Sequence, residues 1–108
     1  MAQLNLVKPG VTGSAPGLVA VAGGGDSFPI VSRAQKYHFK NTDVGARTVT
    51  FVAQKKCNAG VLHNAIVTVP AASERFVDDI DPAFFDDGNG RVQLTYDAAT
   101  GLTAESFA

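Results

Sequence analysis

One thiol and two imidazoles, Cys57, His38 and His63, are the residues from which nucleophilic or zinc chemistry would have to be built. Their surroundings do not spell out either. The chain has no CxxC, no HxxxH and no GxSxG elbow, and a nucleophile also needs an orienting partner that cannot be picked out here. Cys57 follows Lys55 and Lys56, cations that would favour a thiolate, but a small thiol at a strand end is the plainer reading. His38 falls at an outward position of an alternating segment, where a solvated imidazole is expected. A second candidate is acidic. Asp78-Asp79-Ile80-Asp81 and Asp86-Asp87-Gly88-Asn89-Gly90 cluster the oxygen ligands that a hard cation such as calcium takes. The EF-hand frame fails, because Asp79 and Asp81 lack a third ligand at Ala83 and no glutamate closes the loop. Aspartates in turns ordinarily cap local amides instead. A third candidate, Gly23-Gly24-Gly25-Asp26, lacks the Lys-Ser/Thr of a phosphate loop and runs into Ser27-Phe28-Pro29 rather than a helix, so it reads as a flexible loop. No catalytic residue, no cofactor and no metal are therefore expected, and the reading is of a protein that is not an enzyme.

Composition narrows the classes further. A chain of 108 residues supports one domain, burying roughly 65% of its unfolded surface on folding. Apolar residues make up 45% and charged residues 18%, which argues against wholesale disorder. A single cysteine excludes an internal disulfide framework. No apolar run approaches the ~18 residues of a membrane helix, and no basic residue precedes Lys8, so nothing marks secretion. A net charge of −1 speaks against tracking a nucleic-acid backbone. That charge is divided unevenly. Residues 1–70 hold seven basic residues against Asp26 and Asp43, while residues 71–108 hold Arg75 and Arg91 against eight acids. Opposed patches of this kind can steer head-to-tail packing of copies, or simply interleave within one fold.

The elements that would position these residues are strands. Residues 1–32 contain six of the eleven glycines and three of the five prolines, breakers that no helix would survive. Residues 1–16 read as an N-terminal arm or edge strand, and 17–108 as the domain. Strands are expected over Leu18–Val21, around Tyr37 and Phe39, over Thr48–Ala53 with Val49, Phe51 and Ala53 on one face, over Ala65–Val69, over Arg75–Val77, over Val92–Tyr96 and over Leu102–Phe107. Asp81 and Pro82 open a one-turn helix near 81–85. Asp87-Gly88-Asn89-Gly90 is hairpin chemistry, with Asn89-Gly90 suited to a type I′ turn. About seven short antiparallel strands, with a turn every ten or so residues, predict an all-β fold, a single small β-sandwich.

From about Ala46 to Phe107 the chain resembles small β-sandwich proteins encoded among the virion genes of tailed bacteriophages. The resemblance rests on Val67-Thr68-Val69-Pro70-Ala71 leading through a polar corner into Arg75-Phe76-Val77. It continues in Phe84-Phe85-Asp86-Asp87-Gly88-Asn89-Gly90, Val92-Gln93-Leu94-Thr95-Tyr96 and Thr100-Gly101-Leu102-Thr103. Where such chains carry glycine after Pro-Ala, this one has Ala72. The resemblance implies a capsid cement or decoration protein on the exterior of the virion, made in the host cytoplasm. Its partners would be the major capsid protein and neighbouring copies of itself in a homo-oligomer, with no nucleic acid and no membrane. A neck or tail component is the near alternative, and a calcium- or carbohydrate-binding sandwich is a further one. Leu4, Leu6 and Val7 are the expected partner-binding residues, because an apolar arm can add a strand to a neighbour's sheet or tie down on its own.

Overall fold

In the computed structural model, residues 2–3, 6–7, 17–31, 35–56, 60, 62–78 and 80–107 are described, the first four by backbone alone. Ten strands and one short helix appear among them. They are β1 (Ala2–Gln3), β2 (Leu6–Val7), β3 (Val19–Ala20), β4 (Asp26–Pro29), β5 (Lys36–Asn41), β6 (Arg47–Phe51), β7 (Ala65–Val69), β8 (Ser73–Val77), α1 (Pro82–Phe85), β9 (Arg91–Tyr96) and β10 (Leu102–Phe107). The first sheet runs β1-β4-β9-β6-β7, and the second runs β2-β10-β5-β8 with β3 also on β10. The fold is thus a small all-β sandwich. Its pairings are antiparallel except where the arm joins, β1 lying parallel to β4 and β2 parallel to β10.

Alternation along the strands builds the core. Phe28, Val49, Phe51, Val69, Val92 and Leu94 face inward from the first sheet, and Tyr37, Phe39, Leu102 and Ala104 from the second, each essentially inaccessible to solvent. Three ring contacts stitch the layers: Phe28 to Tyr37 at 5.2 Å, Tyr37 to Phe51 at 5.1 Å and Phe39 to Phe51 at 5.8 Å. Such pairs contribute about 0.5–1.5 kcal/mol each beyond the area they bury. Burial also pushes the Tyr37 phenol up to about 12.

One corner gathers three loops. Asn41, at the end of β5 and buried, donates from its amide to the carbonyls of Gly45, Val69 and Pro70, and its Oδ1 accepts from Asp43 N. Asp43 in turn takes the Arg47 guanidinium, its carbonyl accepts from Ala72 N at 3.2 Å, and its backbone abuts Gly101. Ala72 has φ +52°, the one described non-glycine residue in the left-handed region.

Three local expectations change on contact with the structure. The Gly23–Asp26 loop is cut short at its last residue: Asp26 opens β4 (Asp26–Pro29), a strand between β1 and β9 in which Asp26, Ser27 and Phe28 are buried. The 87–90 hairpin is not type I′, because Gly88 (φ +92°) and Gly90 (φ +75°) take positive φ while Asn89 does not. His38 does point outward, yet it is buried rather than solvated.

Candidate partner interface

The two outward faces of the sandwich differ sharply in chemistry. In the first sheet Val49, Phe51, Leu94 and Val69 face the core, so Thr48 and Thr50 of β6, Thr95 and Gln93 of β9, and Ile66 and Thr68 of β7 face out. Register places Thr48 directly across from Thr68, and Thr50 between Ile66 and Thr95. These six positions carry no charge in a chain that is 18% charged. Ile66 is 68% exposed, and Thr68 and Thr95 are exposed beside it. The β-branched side chains suit an extended backbone and hold few rotamers, so the surface is nearly rigid before anything touches it. Arg91 and Asp97 stand only at its ends, Asp97 accepting from Thr48 N at 2.9 Å.

The second sheet's outward face instead carries charged groups around an exposed phenyl ring, Phe76. His38 lies at the centre of three strands, opposite Phe76 of β8 and Glu105 of β10. Its Nδ1 is 3.0 Å from Glu105 Oε2 and its Nε2 is 2.8 Å from Glu74 Oε1. Phe76 stacks on the imidazole at 4.5 Å, and Phe107 meets Phe76 edge-on. Glu105 is buried, and its Oε1 accepts from Gly17 N at 3.1 Å. The ring nitrogens of His38 thus engage separate carboxylates on opposite sides, an arrangement that clamps three strands and leaves no open ligand position. Lys36 pairs with Asp78 at the rim.

The acidic segments are spent locally. Asp81 caps α1 by accepting from Ala83 N. Asp86 accepts from Gly88 N and Gly90 N, and Asp87 accepts from Asn89 N, Arg91 N and the Gln93 amide. The Asn89 amide, then Gln93, hold the Asp87 carboxyl below the usual aspartate range. Among the described residues no group of three or more His, Cys, Asp or Glu side chains is placed to hold a metal ion, and Asp79 lies outside the described residues. Asp26 is fully buried with Oδ2 accepting from Ala22 N. Its Oδ1 and the Tyr96 hydroxyl both lack a hydrogen bond of normal geometry. Burial, and then the adjacent Asp26 carboxylate, push the Tyr96 phenol far up; the two groups lie close without forming a well-shaped bond.

The remaining sequence candidates do not converge. Cys57 and Leu4 lie outside the described residues. His63 lines a cavity with Lys55, Phe84 and Phe85, whereas His38 is held in the second sheet by its two glutamates. Leu6 and Val7 form β2, paired with Ser106 and Phe107 of the same chain. With Ala2 and Gln3 on Asp26 and Ser27, the arm gives one short strand to each sheet of its own sandwich. The threonine face escaped the sequence reading, although its signal was there: Thr48, Thr50, Thr68 and Thr95 sit at the alternate positions of strands whose other face is apolar. Comparisons of the chain with protein-family models, with curated proteins and with solved structures find no match.

Proposed function

We propose that the chain is a non-enzymatic structural protein of a tailed-phage virion, a cement or decoration protein on the exterior of the head that docks through the outward face of its first sheet. The observation that carries this reading is the uncharged Thr48, Thr50, Ile66, Thr68, Thr95 patch, since depletion of charge is what marks the buried centre of a protein interface. The strand-and-turn resemblance supplies the virion context, with the major capsid protein as the partner. Because the described arm residues pair within their own chain, docking is assigned to the sheet face rather than to Leu6 and Val7. The test is co-sedimentation with heads that lack the protein, comparing wild type with Thr50→Lys and Ile66→Asp. A charge trapped in such an interface costs several kcal/mol, so binding should fall at least about a hundredfold while the melting temperature holds. Lys40→Glu, on the opposite sheet, should bind as wild type does. Undiminished binding by both patch variants, or electron-microscopic labelling of the tail instead of the head, would refute the proposal.

A further inference from the structure

A cavity of about 260 Å³ opens between the segment after β6 and helix α1, lined by Lys55, His63, Phe84 and Phe85. Its walls are fixed by the backbone. Gln54 N and Lys55 N both donate to the Phe84 carbonyl, at 2.7 and 3.2 Å, and Asn64 Oδ1 accepts from Ala53 N at 2.8 Å on the side that carries His63. Of the two rings Phe85 is buried, whereas Phe84 is 40% exposed and offers its ring to the cavity. Neither the Lys55 ammonium nor the His63 ring has a hydrogen-bond or ion-pair partner among the described residues. Apolar walls with a few unengaged polar groups at one side are the ordinary composition of a ligand site.

We propose that this cavity binds an organic carboxylate with a flat apolar body, the body against Phe84 and Phe85 and the carboxylate toward Lys55 and His63. Size supports the assignment: about 150 Å³ of apolar cavity accommodates benzene, and the remaining space takes a short link and the anionic head. Charge selects the anion. A cationic ligand would meet Lys55 with no described carboxylate to offset it, and a neutral one would leave the ammonium unused. The site is separate from the threonine face, and it stands whether or not that face docks on a capsid.

The probe is phenylpropionate, titrated into the full chain and followed by amide NMR, with phenylpropanol as the uncharged analogue. Phenylpropionate should shift the amides around Lys55, His63, Phe84 and Phe85 and saturate with a dissociation constant on the order of 1 mM. The alcohol should bind about fivefold more weakly, the scale of one solvent-exposed ion pair. Lys55→Ala should bring the acid down to the alcohol's affinity without altering the alcohol. Phe84→Ala should weaken both. Lys55 is exposed, so its replacement removes no core side chain. Shifts that do not saturate, that map to another surface, or that are equal for acid and alcohol would overturn the proposal, as would a Lys55→Ala variant that still prefers the acid.

Discussion

Replacing Ala72 with glycine should stabilise the protein, although it removes a side chain. Ala72 sits in the tight turn between β7 and β8 at φ +52°, with its N–H donated to the Asp43 carbonyl. An L-residue in the left-handed region pays roughly 1–2 kcal/mol for the approach of Cβ to the backbone. Glycine avoids that cost but adds freedom to the unfolded chain, worth roughly 0.4–1 kcal/mol in the opposite direction. Ala72 is exposed, so almost no buried apolar area is lost. The difference favours glycine by about 0.5–1 kcal/mol, which for a domain of this size corresponds to about 4 °C in melting temperature. The neighbouring Ala71 is also exposed but has ordinary φ, so Ala71→Gly should show only the unfolded-state cost and destabilise by about 0.4–1 kcal/mol. Urea denaturation with an unchanged slope is the assay, since it isolates stability from compactness. The two variants must move in opposite directions. If Ala72→Gly loses stability as Ala71→Gly does, the turn is not strained and the reasoning fails.

Two further outcomes test the fold. Gly101→Ala should cost about 3 kcal/mol, because the added Cβ would lie 2.7 Å from Asp43 Cβ and 2.9 Å from Asp43 N at φ +76°; Gly88→Ala, at φ +92° in open space, should cost only about 1 kcal/mol of backbone strain, and equal melting temperatures would disprove the close packing. Both tyrosines are held neutral by burial, Tyr37 up to about 12 and Tyr96 higher. A folded-state pKa above the unfolded one means the folded chain keeps its protons longer, so stability is complete below the ordinary phenol value of 10.0 and declines as pH rises beyond it. Tyrosinate absorbance should therefore stay flat through that pH and appear together with unfolding; ionisation of either ring near the ordinary value in the folded protein would contradict the burial.

The strands legible in the chain are those with clean alternation, as in Val92–Tyr96, or with β-branched and apolar residues bounded by turn residues, as in Ala65–Val69 before Pro70 and Leu102–Phe107 after Thr100-Gly101. Val92–Tyr96, Ala65–Val69 and Leu102–Phe107 are close to β9, β7 and β10, and Asp81-Pro82 does open α1. β4 was not legible because its cues are contextual. Gly23-Gly24-Gly25 and Pro29 read as breakers, yet the strand starts after the last glycine, and Pro29 falls at its end. A buried Asp26 contradicts every local rule, and only the Ala22 amide and the sheet neighbours explain it. His38 shows a different limit. Parity assigned it correctly to the outward face, but its burial depends on Phe76, Glu74 and Glu105, which lie far away in the chain and meet it only through strand register. The uncharged outward face shows the opposite limit: Thr48, Thr50, Thr68 and Thr95 are singly the polar backs of strands, and their shared lack of charge emerges only when β6, β7 and β9 are set side by side.

The place of β10 has a consequence for how the protein comes to exist. This strand, synthesised after every other one described, lies inside its sheet, bordered by β5 on one side and by β2 and β3 on the other. Until it emerges, Tyr37 and Phe39 have no inner neighbour on that side, the carboxylate on Nδ1 of His38 is missing, and β2 has no strand to join. The nascent chain therefore cannot ratchet to the native state from its N-terminus. Closure waits for contacts between residues nearly a full chain length apart, and such long-range pairing is slow. Translation leaves an incomplete sheet with open edges, which is the species exposed to misassembly. Completion of the second sheet is a single late event, the arrival of β10 between β5 and the strands β2 and β3.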